Sequence, residues 1–135
     1  MNFFEWNQQL SVDNPLIDAD HQTLISLVNE FGDVASKRHD AAQLEQILAQ
    51  LIDYTSTHFE REESLMGEIG YTKIKEHRTQ HEKLLARVKD LQKELQQGRI
   101  SIAIETAELL RFWLTSHIML SDRDLAEAIR TRTAA

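Results

Sequence analysis

Cysteine is absent from the 135 residues. That excludes disulfides, thiolate metal sites and cysteine nucleophiles, and it leaves the redox compartment unmarked. Proline occurs once and glycine four times, so the chain has few points at which to break. No apolar run approaches the ~18 residues that a bilayer-spanning helix needs. The start, Met1-Asn2-Phe3-Phe4-Glu5-Trp6, is not a basic stretch followed by an apolar one. No secretory signal is read there and a cytoplasmic location is expected. Positive charge is also scarce: 15 Lys+Arg stand against 22 Asp+Glu, a net charge of −7. A phosphate-backbone binder needs a basic face, so nucleic acid is not an expected partner. An anionic membrane surface is excluded on the same ground. The acidic balance reads as solubility.

What the chain does have is a full complement of core-forming residues, 41% hydrophobic with 27% charged. Its length suits one domain, with residues 1–17 as an N-terminal arm and 18–131 as a helical bundle. Apolar residues recur at spacings of three and four between sparse turn marks, the signature of amphipathic helices. The first helix is expected from Asp18 as N-cap to Lys37, burying Leu24, Ile25, Val28, Phe31 and Ala35. The second runs from an Asp40/Gln43 capping box to Met66, with Leu44, Ile47, Leu48, Leu51, Tyr54, Phe59 and Leu65 inside. Gly67 and Gly70 then bracket a loop. The third runs from Thr72 as cap to Gln97, with Ile74, Leu84, Leu85, Val88, Leu91 and Leu95 inside and Gly98 as the stop. The fourth begins near Ser101 and carries Ile104, Ala107, Leu110, Trp113, Leu114 and Ile118. Short connections between long helices force antiparallel neighbours, which makes an all-α, up-down-up-down four-helix bundle.

Six histidines are present, and all but His39 fall in line with the apolar stripes. A core-facing stripe normally carries Leu or Ile, because an unpaired polar group there costs free energy. His21 lies three residues before Leu24. His58 lies seven after Leu51, and Glu62 follows it on the same face one turn on. His77 and His81 form a second pair at that spacing. His117 follows Trp113 by four residues, and Asp122 follows His117 by five. Five residues rotate an ideal helix by about 500°, some 140° off the starting face. The helix must therefore end, tighten or bulge between them. A break near Leu120 is expected, with Ser121 as N-cap and Asp124 as its N3 acid opening a short terminal helix to about Arg130.

The inward set is five imidazoles and two carboxylates drawn from four helices. His21 and His77–His81 lie near helix starts, whereas His58–Glu62 and His117–Asp122 lie near helix ends. In an antiparallel bundle all of these fall at one end. Seven nitrogen and oxygen donors exceed what one tetrahedral zinc takes. Two metal ions sharing two bridging carboxylates would use them all. Imidazole and carboxylate without thiolate suit iron, and also manganese, zinc or copper.

These residues resemble the hemerythrins, most closely the bacterial hemerythrins. The resemblance rests on Trp6, Ile17-Asp18-Ala19-Asp20-His21, His58-Phe59-Glu60-Arg61-Glu62-Glu63, the pair His77 and His81, and Trp113-Leu114-Thr115-Ser116-His117-Ile118 followed by Asp122. It implies a non-haem di-iron site that binds dioxygen reversibly, for storage, delivery or buffering. By that resemblance His77, His81 and His117 are ligands of one iron, and His21 and His58 of the other. Glu62 and Asp122 are the bridging carboxylates, with an oxo or hydroxo bridge supplied by water. The two-histidine iron keeps the open position for dioxygen. Leu24, Phe59, Trp113, Leu114 and Ile118 are expected to wall it, which favours release of dioxygen over its activation. Two departures are Tyr71-Thr72, where the family often has Tyr-Pro, and Leu125, where it often has tyrosine.

Plainer readings stand beside these. Phe59 and Trp113 serve equally as ordinary core. Glu60, Arg61 and Glu63 read as an exposed face, His39 as a solvated turn residue, and Phe3 and Trp6 as a lid across the bundle. Three other functions remain open: an oxygen or redox sensor acting through a protein partner, a di-iron oxidase or peroxidase, and handling of iron itself.

Overall fold

A computed structural model describes residues 4–37 and 41–134. Five helices follow one another: α1 (Pro15–Ser36), α2 (Ala41–Ile69), α3 (Ile74–Gln96), α4 (Ala103–His117) and α5 (Arg123–Ala134). The first four form the antiparallel up-down-up-down bundle, with no strand among the described residues. Helix α1 packs against α2 and α4, and α2 packs against α3.

The helix ends follow local chemistry. Asn14 caps α1, its Oδ1 accepting from the N–H groups of Leu16 and Ile17 at 3.1 Å each. Pro15 takes the first helical position, where a missing N–H costs nothing. The expected start at Asp18 is thus one turn late. Asp18 instead ties down the arm, accepting from Ser11 Oγ at 2.7 Å and Val12 N–H at 2.9 Å.

Helix α2 passes through Gly67 and stops at Gly70, whose φ of +64° is the left-handed conformation that closes a helix. Tyr71 N–H reaches back to Met66 O at 2.9 Å. Gly98, with φ +86°, ends α3 the same way, with Arg99 N–H on Glu94 O at 3.1 Å. Thr72 caps nothing. Helix α3 opens after Lys73 without a side-chain cap. The Asp40 capping box and His39 lie outside the described residues.

The core is the predicted one with local shifts. Val28, Phe31, Leu44, Leu48 and Ile118 are wholly buried. Ile104 points outward, 53% exposed, because α4 buries Ala103, Ala107, Leu110 and Leu114 and residue 104 sits about 100° around from 103. Leu65 and Ile74 are half-buried, while Met66 and Thr106 are buried. The arm lies across the bundle. Phe4 is buried, and its backbone is clasped by Asn29, which accepts from Phe4 N–H at 2.7 Å and donates to Phe4 O at 2.6 Å. Trp6 is half-buried against the core, whereas Phe3 lies outside the described residues. Arg123 of α5 donates to the carbonyls of Gln9 and Ser11, fastening the arm to the far end of the chain.

Phe31 is 0% exposed in the middle of α1. Phe31→Ala is expected to cost about 3–5 kcal/mol. Urea unfolding of both proteins in the same metal state checks this, with a lower midpoint at unchanged slope.

Candidate metal centre

Each helix delivers its functional side chains near the same end of the bundle. His21 lies in the second turn of α1, and His58 and Glu62 lie one turn apart late in α2. His77 and His81 occupy the opening turns of α3, and His117 closes α4. Asp122 arrives by a bulge. Ile118–Asp122 is a π-helical turn, with the N–H of Arg123 bonding Ile118 O five residues back. The wider turn returns Asp122 to the face of His117, and His117 Nε2 lies 3.1 Å from Asp122 Oδ1. No break occurs at Leu120, and Ser121 is not a cap. Its hydroxyl donates to Gln80 Oε1 at 2.7 Å instead.

All seven predicted residues are buried, with His21 at 0%, Glu62 and Asp122 at 1% and His117 the most open at 6%. Their donor atoms form two sets, each within 4.8 Å. One is Glu62, His77, His81, His117 and Asp122, and the other is His21, His58, Glu62 and Asp122. The carboxylates belong to both because each divides its oxygens. Asp122 turns Oδ1 to His77 Nε2 at 3.0 Å and to His117 Nε2, and Oδ2 to His21 Nε2 at 2.8 Å. Glu62 turns Oε1 to His81 Nε2 at 3.2 Å and His77 Nε2 at 3.6 Å, and Oε2 to His58 Nε2 at 3.4 Å.

Protein hydrogen bonds alone do not satisfy this cluster. Both nitrogens of His21, Nε2 of His58 and both oxygens of Glu62 are buried without a hydrogen-bond partner among the described residues. His21 Nε2 is close to Asp122 yet not aligned for a bond. His81 Nε2 and His117 Nε2 face each other at 3.2 Å, so at most one of them can carry a proton comfortably. Orphaned buried atoms of this kind are rare in folded proteins. Two cations, one per set, would meet all of them except His21 Nδ1, because each residue offers one donor atom. The donor set therefore fits a pair of metal ions.

The electrostatics of the metal-free protein agree. Burial and the Asp122 charge push the Glu62 carboxyl up, but the close imidazoles of His58, His77 and His81 outweigh them and hold it down at about 2. Asp122 is buried too, yet the imidazoles of His117, His21 and His77 packed against it hold it well below the usual range. Burial alone would lower His58 and His77. The carboxylates beside them win and raise both to about 9. For His117 burial wins, and its value falls. Without metal, protons on His58 and His77 balance the two carboxylates.

An outer ring surrounds the cluster, and the sequence reading missed it. Asp20 accepts from His58 Nδ1–H at 2.8 Å, Glu63 from His81 Nδ1–H at 3.0 Å, and Gln80 from His117 Nδ1–H at 2.8 Å. Glu63 is therefore not part of an exposed face. It is 25% exposed and also accepts from Arg78. Arg61 is half-exposed but grips Asp20. Adjacency hid these residues. Asp20 and Glu63 each follow or precede an inward residue by one, so a single-helix wheel points them about 100° away. The neighbouring helix supplies the histidine they meet.

The expected apolar wall is partly placed. Phe59 stacks on His81 with ring centres 3.6 Å apart, and Trp113 stacks on His117 at 4.3 Å. Both thus lie against the three-histidine set. Leu24, Leu114 and Ile118 are buried beside the cluster in sequence, within a turn of His21 or His117.

The family model "Hemerythrin HHE cation binding domain" matches residues 13–129. The chain belongs to the hemerythrin family. Similar relatives include the bacteriohemerythrin of Pseudomonas aeruginosa, 30% identical over 125 residues, which are 93% of this chain and 80% of that protein. The bacteriohemerythrin of Methylococcus capsulatus is 33% identical over 106 residues, 78% of this chain and 80% of that one. Among solved structures, a wild-type hemerythrin aligns with a TM-score of 0.87 at 28% identity, covering 93% of this chain and 97% of that one.

The shifts carry a pH dependence for the metal-free protein. His58 and His77 rise from 6.5 to about 9 on folding, so their contribution is complete below pH 6.5 and is lost as pH rises towards 9. Glu62 falls from 4.5 to about 2, so its contribution is present above pH 4.5 and is lost on acidification. Thermal melts in excess chelator should be highest between these limits and decline towards pH 9. A midpoint that climbs from pH 6.5 to 9 would contradict the assignment.

Proposed function

We propose that this hemerythrin-family chain binds dioxygen reversibly at a pair of non-haem iron ions, for storage, delivery or buffering. The observation that carries the reading is the divided orientation of Glu62 and Asp122, one oxygen of each towards either histidine set. In this reading His77, His81 and His117 would hold one iron, His21 and His58 the other, and Glu62 and Asp122 would be shared by both. The pair supplies, when bound, the electrons that dioxygen borrows on binding and returns on release. The set containing His21 and His58 has one imidazole fewer, so it is the one that would have room for dioxygen.

The chain's own residues favour binding over turnover. Five imidazoles and only two carboxylates make a donor set of low negative charge. Leu24, Phe59, Trp113, Leu114 and Ile118 would exclude water and slow proton delivery, as a closed apolar site does. Among the described residues no helix is long and apolar enough to cross a membrane. Independently of that, we read the chain as a cytoplasmic carrier rather than an enzyme. Sustained oxidation of added phenols, or rapid turnover of peroxide, faster than autoxidation, would support the oxidase or peroxidase alternative.

The visible spectrum before and after reduction and re-aeration tests the proposal. A charge-transfer band should appear with air and vanish under inert gas, with two irons per chain by elemental analysis. Air-insensitive colour or absent iron would sink it. Glu62→Ala and Asp122→Ala should each lose one or both irons, whereas His39→Ala should leave the content unchanged. Metal-loaded protein should melt above the metal-free form, because ligand binding to the folded state is folding free energy.

A further inference from the structure

Asp20 and Glu63 share a construction that neither neighbouring helix would need for packing. Asp20 sits on α1 beside His21 but bonds across to His58 on α2. Its outer side is gripped by Arg61, with Nε on Oδ2 at 3.1 Å and Nη2 on Oδ1 at 2.8 Å, and Tyr54 OH donates to Oδ1 at 3.0 Å. Glu63 on α2 bonds across to His81 on α3, and Arg78 donates to its far oxygen at 3.1 Å. Each chain of contacts runs from a half-exposed guanidinium, 52% for Arg61 and 48% for Arg78, to an imidazole that is 1% exposed.

The distribution is selective. His117 has a neutral amide, Gln80, at the same ring position, and His21 Nδ1 has no hydrogen-bond partner among the described residues. One carboxylate-backed imidazole therefore serves each donor set, His58 in one and His81 in the other. A carboxylate on Nδ1–H fixes the tautomer, aims Nε2 inward and makes the ring a stronger electron donor. A more electron-rich ligand stabilises the higher oxidation state of a metal, and an adjacent guanidinium moderates that effect.

Resting on the di-iron reading above, we propose that Asp20 and Glu63 are positioning residues that act through His58 and His81 to set the reduction potential and retention of the two metals, with Arg61 and Arg78 as their outer counterweights. The plainer account makes Asp20–Arg61 and Glu63–Arg78 helix-to-helix tethers. Ion pairs whose guanidinium is half-exposed contribute little on their own.

The sign of the potential separates the two accounts. The metal-loaded full chain is compared with Asp20→Asn, Glu63→Gln and Arg61→Gln, and with Glu82→Gln at an exposed site on α3 as control. Circular dichroism establishes that each variant is folded. Spectroelectrochemistry then gives the midpoint potential, and transfer to a chelator gives the rate of metal loss. Asp20→Asn and Glu63→Gln should move the potential positive and weaken metal retention roughly 10- to 100-fold. Arg61→Gln should move it negative, because Asp20 is then uncompensated, without faster metal loss. Glu82→Gln should change neither. A tether breaks equally from either side, so shifts of the same sign for Asp20→Asn and Arg61→Gln overturn the proposal. So do unchanged potentials in variants that hold two irons. A wild-type chain that takes up no transition metal overturns the di-iron reading and this inference together.

Discussion

Two carboxylates buried to 1% exposure among five imidazoles are the constraint around which this fold is arranged. Moving a carboxylate out of water costs several kcal/mol even after the protein relaxes, roughly the same again for each further charge. Glu62 and Asp122 are therefore tolerable only if positive charge meets them. Protons on His58 and His77 meet part of that need. They leave the oxygens of Glu62 and the nitrogens of His21 without partners. A cation seated in each donor set would meet the Glu62 oxygens and one nitrogen of His21, which is why the site reads as a metal centre and not as a polar core.

The rest of the bundle serves that requirement. An antiparallel order brings two helix beginnings and two helix ends to one level. The two glycine-terminated helices, α2 at Gly70 and α3 at Gly98, keep the reversals short enough to hold it. The π-turn at Ile118–Asp122 is the one departure from regular helix in this region. It widens a single turn without opening a solvent-exposed end, so Asp122 reaches the cluster while Ile118 stays in the core. Helix α5 follows directly, and Arg123 reaches the carbonyls of the arm. The same bulge thus positions the shared carboxylate and aims the helix that fastens the N-terminus.

Much of this was legible before coordinates. Helical periodicity and the five aligned histidines pointed to the bundle and to all seven clustered residues, because a polar side chain on an apolar stripe is conspicuous. The five-residue gap from His117 to Asp122 announced an irregular turn. It did not distinguish a break from a bulge, since Ser121 offers a good cap whose hydroxyl Gln80 captures instead. Helix starts were misjudged where two signals competed, as Asn14-Pro15 did with Asp18. The outer ring was invisible for a different reason. Asp20 and Glu63 lie off their own helix's stripe, and only the neighbour's position shows that a half-buried carboxylate faces an imidazole.

That ring changes what the site is physically. A cluster enclosed only by leucine and phenylalanine would have its properties set by burial alone, uniform around the cage. Here His58 and His81 are polarised from outside by charged pairs that reach solvent, while Phe59 and Trp113 stack on the faces of His81 and His117. The imidazole rings are held both edge-on and face-on, and the cage carries charged pairs at its rim as well as the two carboxylates at its centre. Reversible binding needs that combination: little reorganisation between bound and free states, a dry interior that withholds protons, and an electron supply strong enough to engage dioxygen yet balanced enough to let it go. Apolar packing supplies the first two. The third depends on charge placed one residue beyond the donors, which makes the half-exposed Arg61 and Arg78 part of the site and not of the surface.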